Sequence, residues 1–269
     1  MASMAPRTES PWARFRAEFA ESRLAMAGLA LLVVILALGI LAPVISPQNP
    51  YDLAQLDVMD SRLAPGEKSA DGRTYWLGTD DQGRDMLSGI FYGLRISLGV
   101  GVASTVFALA IGLVFGLVAA YFGGWVDTLI MRVVDIQLSF PAILIALILL
   151  AVLGQGVDKI VIALVTVQWA YYARTVRSSA LVERQKEYVE AARVLALGQA
   201  RVVFRHLLPN CLPPLIVVAT VQVAHAIALE ATLSFLGLGL PITEPSLGLL
   251  ISNGFQYLLS GKYWISFYP

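Results

Sequence analysis

Lys186-Glu187-Tyr188-Val189-Glu190-Ala191-Ala192-Arg193-Val194-Leu195-Ala196-Leu197-Gly198 runs on through Arg201, Phe204, Arg205 and His206 to Leu208-Pro209-Asn210. The stretch is charged, and long apolar runs lie on either side of it. Lys186 to Leu195 holds no proline or glycine and favours helix. Gly198 reads as a helix stop, and a second short helix is expected from about Ala200 to Leu208, ending at Pro209. On the first helix Tyr188, Ala191, Ala192 and Leu195 fall on one face, Glu187 and Glu190 project elsewhere, and Glu190 can pair with Arg193. A small-residue face bracketed by charges can enter a groove on a partner. It can equally be a solvated loop helix, and the residues alone leave the two even.

The surroundings say where this stretch sits. Of 269 residues 57% are hydrophobic and only 14% charged, and mean hydropathy is +0.71. Soluble domains are about 45–50% apolar and about 25% charged, so the chain belongs in a bilayer. Net charge is zero, which gives no reason to expect nucleic acid. The lone cysteine, Cys211, makes no intrachain disulfide or zinc spacing and reads as a small packed side chain.

Leu24 to Ile45 is too long for a signal core and long enough for a first span. Residues 1–23 before it carry Trp12, Phe15 and Phe19 at helical spacing, an amphipathic surface helix. Residues 46–96 are polar and rich in Pro, Gly and Asp, a loop-rich extramembrane segment closing on an interfacial helix from Met86 to Leu98. Residues 97–269 form the remaining membrane core. Its spans are expected near 97–121, 129–153 with a kink at Pro141, 160–173, and from Pro213-Pro214 to Leu236. The fold class is therefore all-α, a polytopic helical membrane protein of five spans with a polar loop at 174–210. Arg132 and Asp135 can pair at the entry to the third span. In the second span Ser104, Ala108, Gly112, Gly116 and Ala120 recur every four residues, a face that lets another helix backbone come close.

Orientation follows from Lys and Arg. An inner N-terminus puts residues 122–134 and 174–210 inside too, and these three regions hold twelve of the nineteen basic residues.

Several segments carry a resemblance. Glu187-Tyr188-Val189-Glu190-Ala191-Ala192 followed by Phe204-Arg205-His206-Leu207-Leu208-Pro209-Asn210 is similar to the cytoplasmic signature loop of bacterial ABC importer permeases of the dipeptide/oligopeptide type. So are Leu77-Gly78-Thr79-Asp80, Gly83-Arg84-Asp85, Tyr121-Phe122-Gly123-Gly124-Trp125 with Asp127, and Leu233-Ser234-Phe235-Leu236-Gly237-Leu238-Gly239, in order along nearly the whole chain. The resemblance implies a permease that forms half of a pore in the bacterial inner membrane. Its expected partners are a homologous second permease, one or two ATPase subunits, an extracytoplasmic binding protein and membrane lipid. ATP and Mg would be bound by the ATPase subunits, with no cofactor in this chain. It also implies an ATPase-coupling role for Glu187, Glu190, Ala191, Ala192, Arg193, Ala196 and Gly198. The family usually has glycine six residues after the signature glutamate, where this chain has Ala196, with the glycine at Gly198. A sixth span is usual as well, and the sequence stops where it would begin, so an incomplete chain is expected. Peptides are the expected cargo, with nickel complexes or glutathione as alternatives.

Other classes fare worse. No glycine loop ends in Lys-Ser or Lys-Thr; Gly261-Lys262-Tyr263 lacks the upstream glycine and the hydroxyl. His-Glu-x-x-His is absent, which removes a membrane metalloprotease. An ion-coupled transporter would want intramembrane ionisable groups, and the fifth span offers His225 and Glu230. Five residues put them about 140° apart on a helix, so each is expected to face a pore or bond to a neighbouring helix, without sharing a site.

Overall fold

A computed structural model describes residues 11–69, 71–195, 197–198, 201–241 and 243–269. Two helices come first, α1 (Pro11–Glu21) and α2 (Arg23–Ile45). The latter is capped at Ser22, whose side chain accepts the Ala25 N–H at 3.3 Å. A folded loop leads into α3 (Met86–Phe122), then α4 (Gly124–Ser139), α5 (Ala142–Leu153) and α6 (Val157–Glu183). The short α7 (Glu187–Val194) precedes a π-helical turn (Val202–Leu207), which runs straight into α8 (Leu208–Phe235). Two short helices, α9 (Leu247–Phe255) and α10 (Tyr263–Phe267), complete the chain order. No strand occurs among the described residues.

Several expected boundaries change. The interfacial helix and the second span are one 37-residue helix, about 55 Å long at about 1.5 Å per residue. It stops at Gly123 and Gly124, whose φ of +63° and +54° lies where a side chain would be strained. Pro141 does more than kink the third span: α4 and α5 meet at 92°. The fourth span extends through Arg174 and Arg177 to Glu183. The second short helix does not end at Pro209, and Pro213-Pro214 lie inside α8. A proline ring collides with the carbonyl four residues back in an α-helix. The wider π turn before Pro209 relieves that collision, and the Asn210 side-chain amide donates to the His206 carbonyl at 2.7 Å.

Three helices, α2, α3 and the π turn with α8, are long and apolar enough to cross a membrane, and the bent α4–α5 pair makes up to four. The remaining expected span, the fourth, is α6, which has the length at 27 residues but carries Asp158, Lys159, Gln168, Arg174 and Arg177. Its charges are paired, Asp158 with Lys159 in the exposed first turn and Arg174 and Arg177 with Asp135 and Asp127 of α4. It packs against α3, α4, α5 and α8, so much of its surface meets protein instead of lipid.

The α3–α6 contact rests on the small-residue stripe, all five of whose members are buried. A Cβ on Gly112 would lie 2.4 Å from the Tyr172 Cβ and 2.6 Å from the Trp169 carbonyl oxygen, and one on Gly116 would lie 2.6 Å from the Ala173 carbonyl oxygen. Backbone meets backbone there, and only hydrogen fits.

The loop between α2 and α3 is held by named bonds. Gln48 accepts the Asp85 N–H at 2.6 Å, donates its amide to the Gln55 carbonyl at 2.9 Å, and donates its own N–H to Ser88 Oγ at 3.1 Å. Asp85 in turn caps α3 by accepting from Ser88 N and Oγ. Asp80 Oδ1 accepts the N–H groups of Gln82 and Arg84, while its Oδ2 is buried with no hydrogen-bond partner among the described residues. Burial pushes this carboxyl up to about 6, against the pull of those two N–H groups and the Arg84 charge.

Two outcomes are expected. Gly112→Leu and Gly116→Leu should each lower the thermal midpoint by roughly 5–10 °C, from about 2–3 kcal/mol of overpacking. Gly28→Leu, on an α2 face with nothing within 4 Å, should not. For Asp80, the folded carboxyl keeps its proton up to about pH 6 and the unfolded one only to its ordinary 3.8. The folded chain thus binds more protons in that window, and stability falls as pH rises through it. Asp80→Asn should therefore be more stable than wild type at pH 7, by on the order of 2–3 kcal/mol, and lose the advantage below pH 4. Thermal unfolding at both values reads this.

Candidate functional site

An eight-residue helix is marginal in isolation, so α7 exists because one side of it is packed. Val189 and Ala192 are buried against Val202, with Tyr188 and Leu197 alongside. The Tyr188 hydroxyl donates to the Glu183 carboxylate at the end of α6, and accepts from the Asn210 amide of α8 at 3.1 Å. Burial, then Glu183, raises Tyr188 to about 12, so it stays a donor at any working pH. Lys186 reaches Glu183 as well, at 2.6 Å. The short helix is thus tied to the end of one long helix and the start of another.

The packed side differs from the expected face. Of Tyr188, Ala191, Ala192 and Leu195, only Tyr188 and Ala192 turn inward. Ala191 is exposed, and Leu195 is 72% exposed. The outward surface therefore carries Glu187, Glu190, Ala191, Val194 and Leu195. The Arg193 side chain, with its pairing to Glu190, and Ala196 lie outside the described residues. Gly198 is no left-handed cap: its carbonyl accepts the N–H groups of Arg201 and Val202, so it opens the next helical turn.

Behind α7 is a cavity of about 600 Å³, walled by Tyr121, Ala180, Arg184, Val189, Val202 and Leu207 among others. Arg184 Nη1 donates to the Ala120 carbonyl at 3.0 Å, placing a cation at the negative end of α3. Nearby, Arg177 grips Asp127 with two bonds of 2.6 Å. Asp135 pairs with Arg174 of α6, and not with Arg132. Both pairs join α4 to α6, a geometry the sequence alone did not reveal because the partners lie some forty to fifty positions apart. The one legible signal was opposite charges inside otherwise apolar helices.

Glu230 is fully buried and accepts from Ser97 of α3 and Ser234 of its own helix, both at 2.8 Å. Two hydroxyl donors satisfy it and tie α3 to α8. His225 is not brought near it. It is exposed on a cavity of about 550 Å³ shared with Leu138, Tyr171, Arg174, Thr175 and Gln222. Among the described residues no group of three or more His, Cys, Asp or Glu side chains could hold a metal.

Comparison with known proteins agrees with this architecture. Residues 112–267 match the family described as binding-protein-dependent transport system inner membrane component, and residues 10–65 match the N-terminal transmembrane domain of oligopeptide transport permease C. The chain is 35% identical over 258 residues to a dipeptide transport system permease protein of Alkalihalophilus pseudofirmus, covering 96% of this chain and 82% of the relative. Its likeness to the Haemophilus influenzae dipeptide transport system permease protein is 34% over 264 residues, covering 98% and 88%. Among solved structures, a chain of the inward-facing MetNI methionine ABC transporter superposes with a TM-score of 0.53 at 24% identity, over 65% of this chain and 83% of that one. That last likeness is one of fold.

Tyr188→Phe removes the hydroxyl between Glu183 and Asn210, a loss of about 1 kcal/mol. Amide exchange across residues 187–194 should quicken by roughly fivefold, with thermal unfolding of the bundle unchanged.

Proposed function

This chain belongs to the family of binding-protein-dependent transport system inner membrane components, and from that membership we propose that it is one half of the pore of an ATP-driven peptide importer. As a member it is a multi-pass inner-membrane pore component and not itself catalytic. Peptide cargo is supported by the names of its relatives, several of which are dipeptide transport permeases. A second, homologous permease would complete the pore, an extracytoplasmic binding protein would deliver cargo, and ATPase subunits would bind ATP and Mg. The distribution of Lys and Arg supports a cytoplasmic N-terminus and a cytoplasmic α7.

The observation that carries the coupling assignment is α7 itself. Its apolar side is used inside the chain, and its outward side offers two carboxylates, Ala191 and two aliphatic side chains, all exposed among the described residues. In this reading Glu187, Glu190 and Ala191 enter a cleft of the ATPase, Ala192 seats the helix, and Arg193, Ala196 and Gly198 shape its exit. Displacement of α7 reaches α8 by two routes, the Val189–Val202 packing and the Tyr188–Asn210 bond. The π turn is the compliant part. A change in its winding would rotate α8, with His225 on its exposed side, relative to α6.

The chain reconstituted with its ATPase and second permease tests this. Glu190→Lys should insert normally and leave ATP hydrolysis running, while peptide uptake falls at least tenfold, on the order of 1.4 kcal/mol or more of lost coupling. Uptake at the wild-type rate would remove Glu190 from the mechanism. Uptake that followed a proton gradient and ignored ATP would replace the importer with an ion-coupled transporter.

A further inference from the structure

Arg95 is the only charged residue in the 37 of α3. It is exposed, and no hydrogen bond or ion pair within the described residues engages it. Its depth is set by α2. A Cβ on Gly39 would lie 3.5 Å from both the Arg95 Cα and its backbone nitrogen. Gly39 is six residues before the end of α2, hence about 9 Å inside it. At this level α2 turns Ile40, Leu41 and Val44 outward, at 71%, 48% and 82% exposure, so an exposed apolar face bounds the site. An unpaired cation within an apolar helix is a candidate binding site.

A cavity of about 370 Å³ opens beside it, lined by Tyr51, Tyr92, Arg95, Ile96, Gly99, Val100 and Val157. One rim is polar and the other wall is apolar. The Tyr51 and Tyr92 rings meet edge to face at 5.4 Å, a rigid pair with Tyr92 buried and Tyr51 partly open. Guanidinium groups bind phosphate oxygens in a paired fork, and tyrosines sit preferentially at the membrane–water boundary. A phosphate on the polar rim would let the attached acyl chains follow Ile96 and Val100 into the bilayer.

We propose that this cavity holds the headgroup phosphate of a membrane phospholipid on Arg95, between α3 and the segment that follows α2. The bound lipid would wedge α2 against the bundle, and the site stands whatever the cargo is.

Native mass spectrometry of the assembled transporter, extracted from vesicles of equal phosphatidylethanolamine and phosphatidylglycerol, tests this. Wild type should retain lipid. Arg95→Gln should retain roughly tenfold less, Arg95→Lys an intermediate amount, and Arg73→Gln in the exposed loop as much as wild type. Equal retention by wild type and Arg95→Gln overturns the proposal and leaves an arginine that merely extends to water. Displacement of the lipid by millimolar dialanine overturns it too, making the cavity a solute site.

Discussion

Contact between the backbones of α3 and α6 is the constraint on which the bundle depends. Helices in lipid gain little from burying apolar surface, because the tails are as apolar as leucine. They associate through close packing and polar contacts. Gly112 and Gly116 bring α3 within reach of the Tyr172 Cβ and the carbonyl oxygens of Trp169 and Ala173. That places α6 at the centre, where α4, α5 and α8 gather around it. Arg174 and Arg177 of α6 are answered there by Asp135 and Asp127 of α4.

Those charges divide the bundle into two ends with different duties. Toward α7, Arg177 with Asp127 and Arg174 with Asp135 fix α4 to α6, and Arg184 caps α3. Toward the loop, Glu230 is held by Ser97 and Ser234, while Gln48, Asp85 and Ser88 lock the loop onto the first turn of α3. Between them lies α8, entered through a π turn and reached from α7 by a buried apolar contact and a hydroxyl bridge. The proposed coupling role draws on this small helix, its inner face anchored and its outer face exposed.

Where the sequence reading succeeded, the property was local. The apolar runs of α2, α3 and α8, the four-residue stripe, and the helix around Glu190 each follow from the composition of one segment. Where it failed, the deciding partner was elsewhere. The face of α7 was assigned by small residues, yet Val189 rather than Ala191 turns inward because Val202 waits there. Arg174 was placed in a loop because a charge argues against a span; Asp135, on another helix, keeps it in one. Pro209 reads as a stop, and the preceding turn absorbs it by widening.

By itself, then, the sequence determined a helical membrane chain, its strongest spans, the side on which basic residues gather, and the polar stretch that interrupts the membrane. Only the tertiary structure decided that α4 and α5 break at 92°, that α6 continues past its arginines, which side of α7 is free, and that Arg95 stands alone beside two tyrosines. The reason is physical. Hydropathy and periodicity weigh a segment against water or lipid, whereas the fate of a buried charge, a proline or a short helix depends on a neighbour distant in sequence.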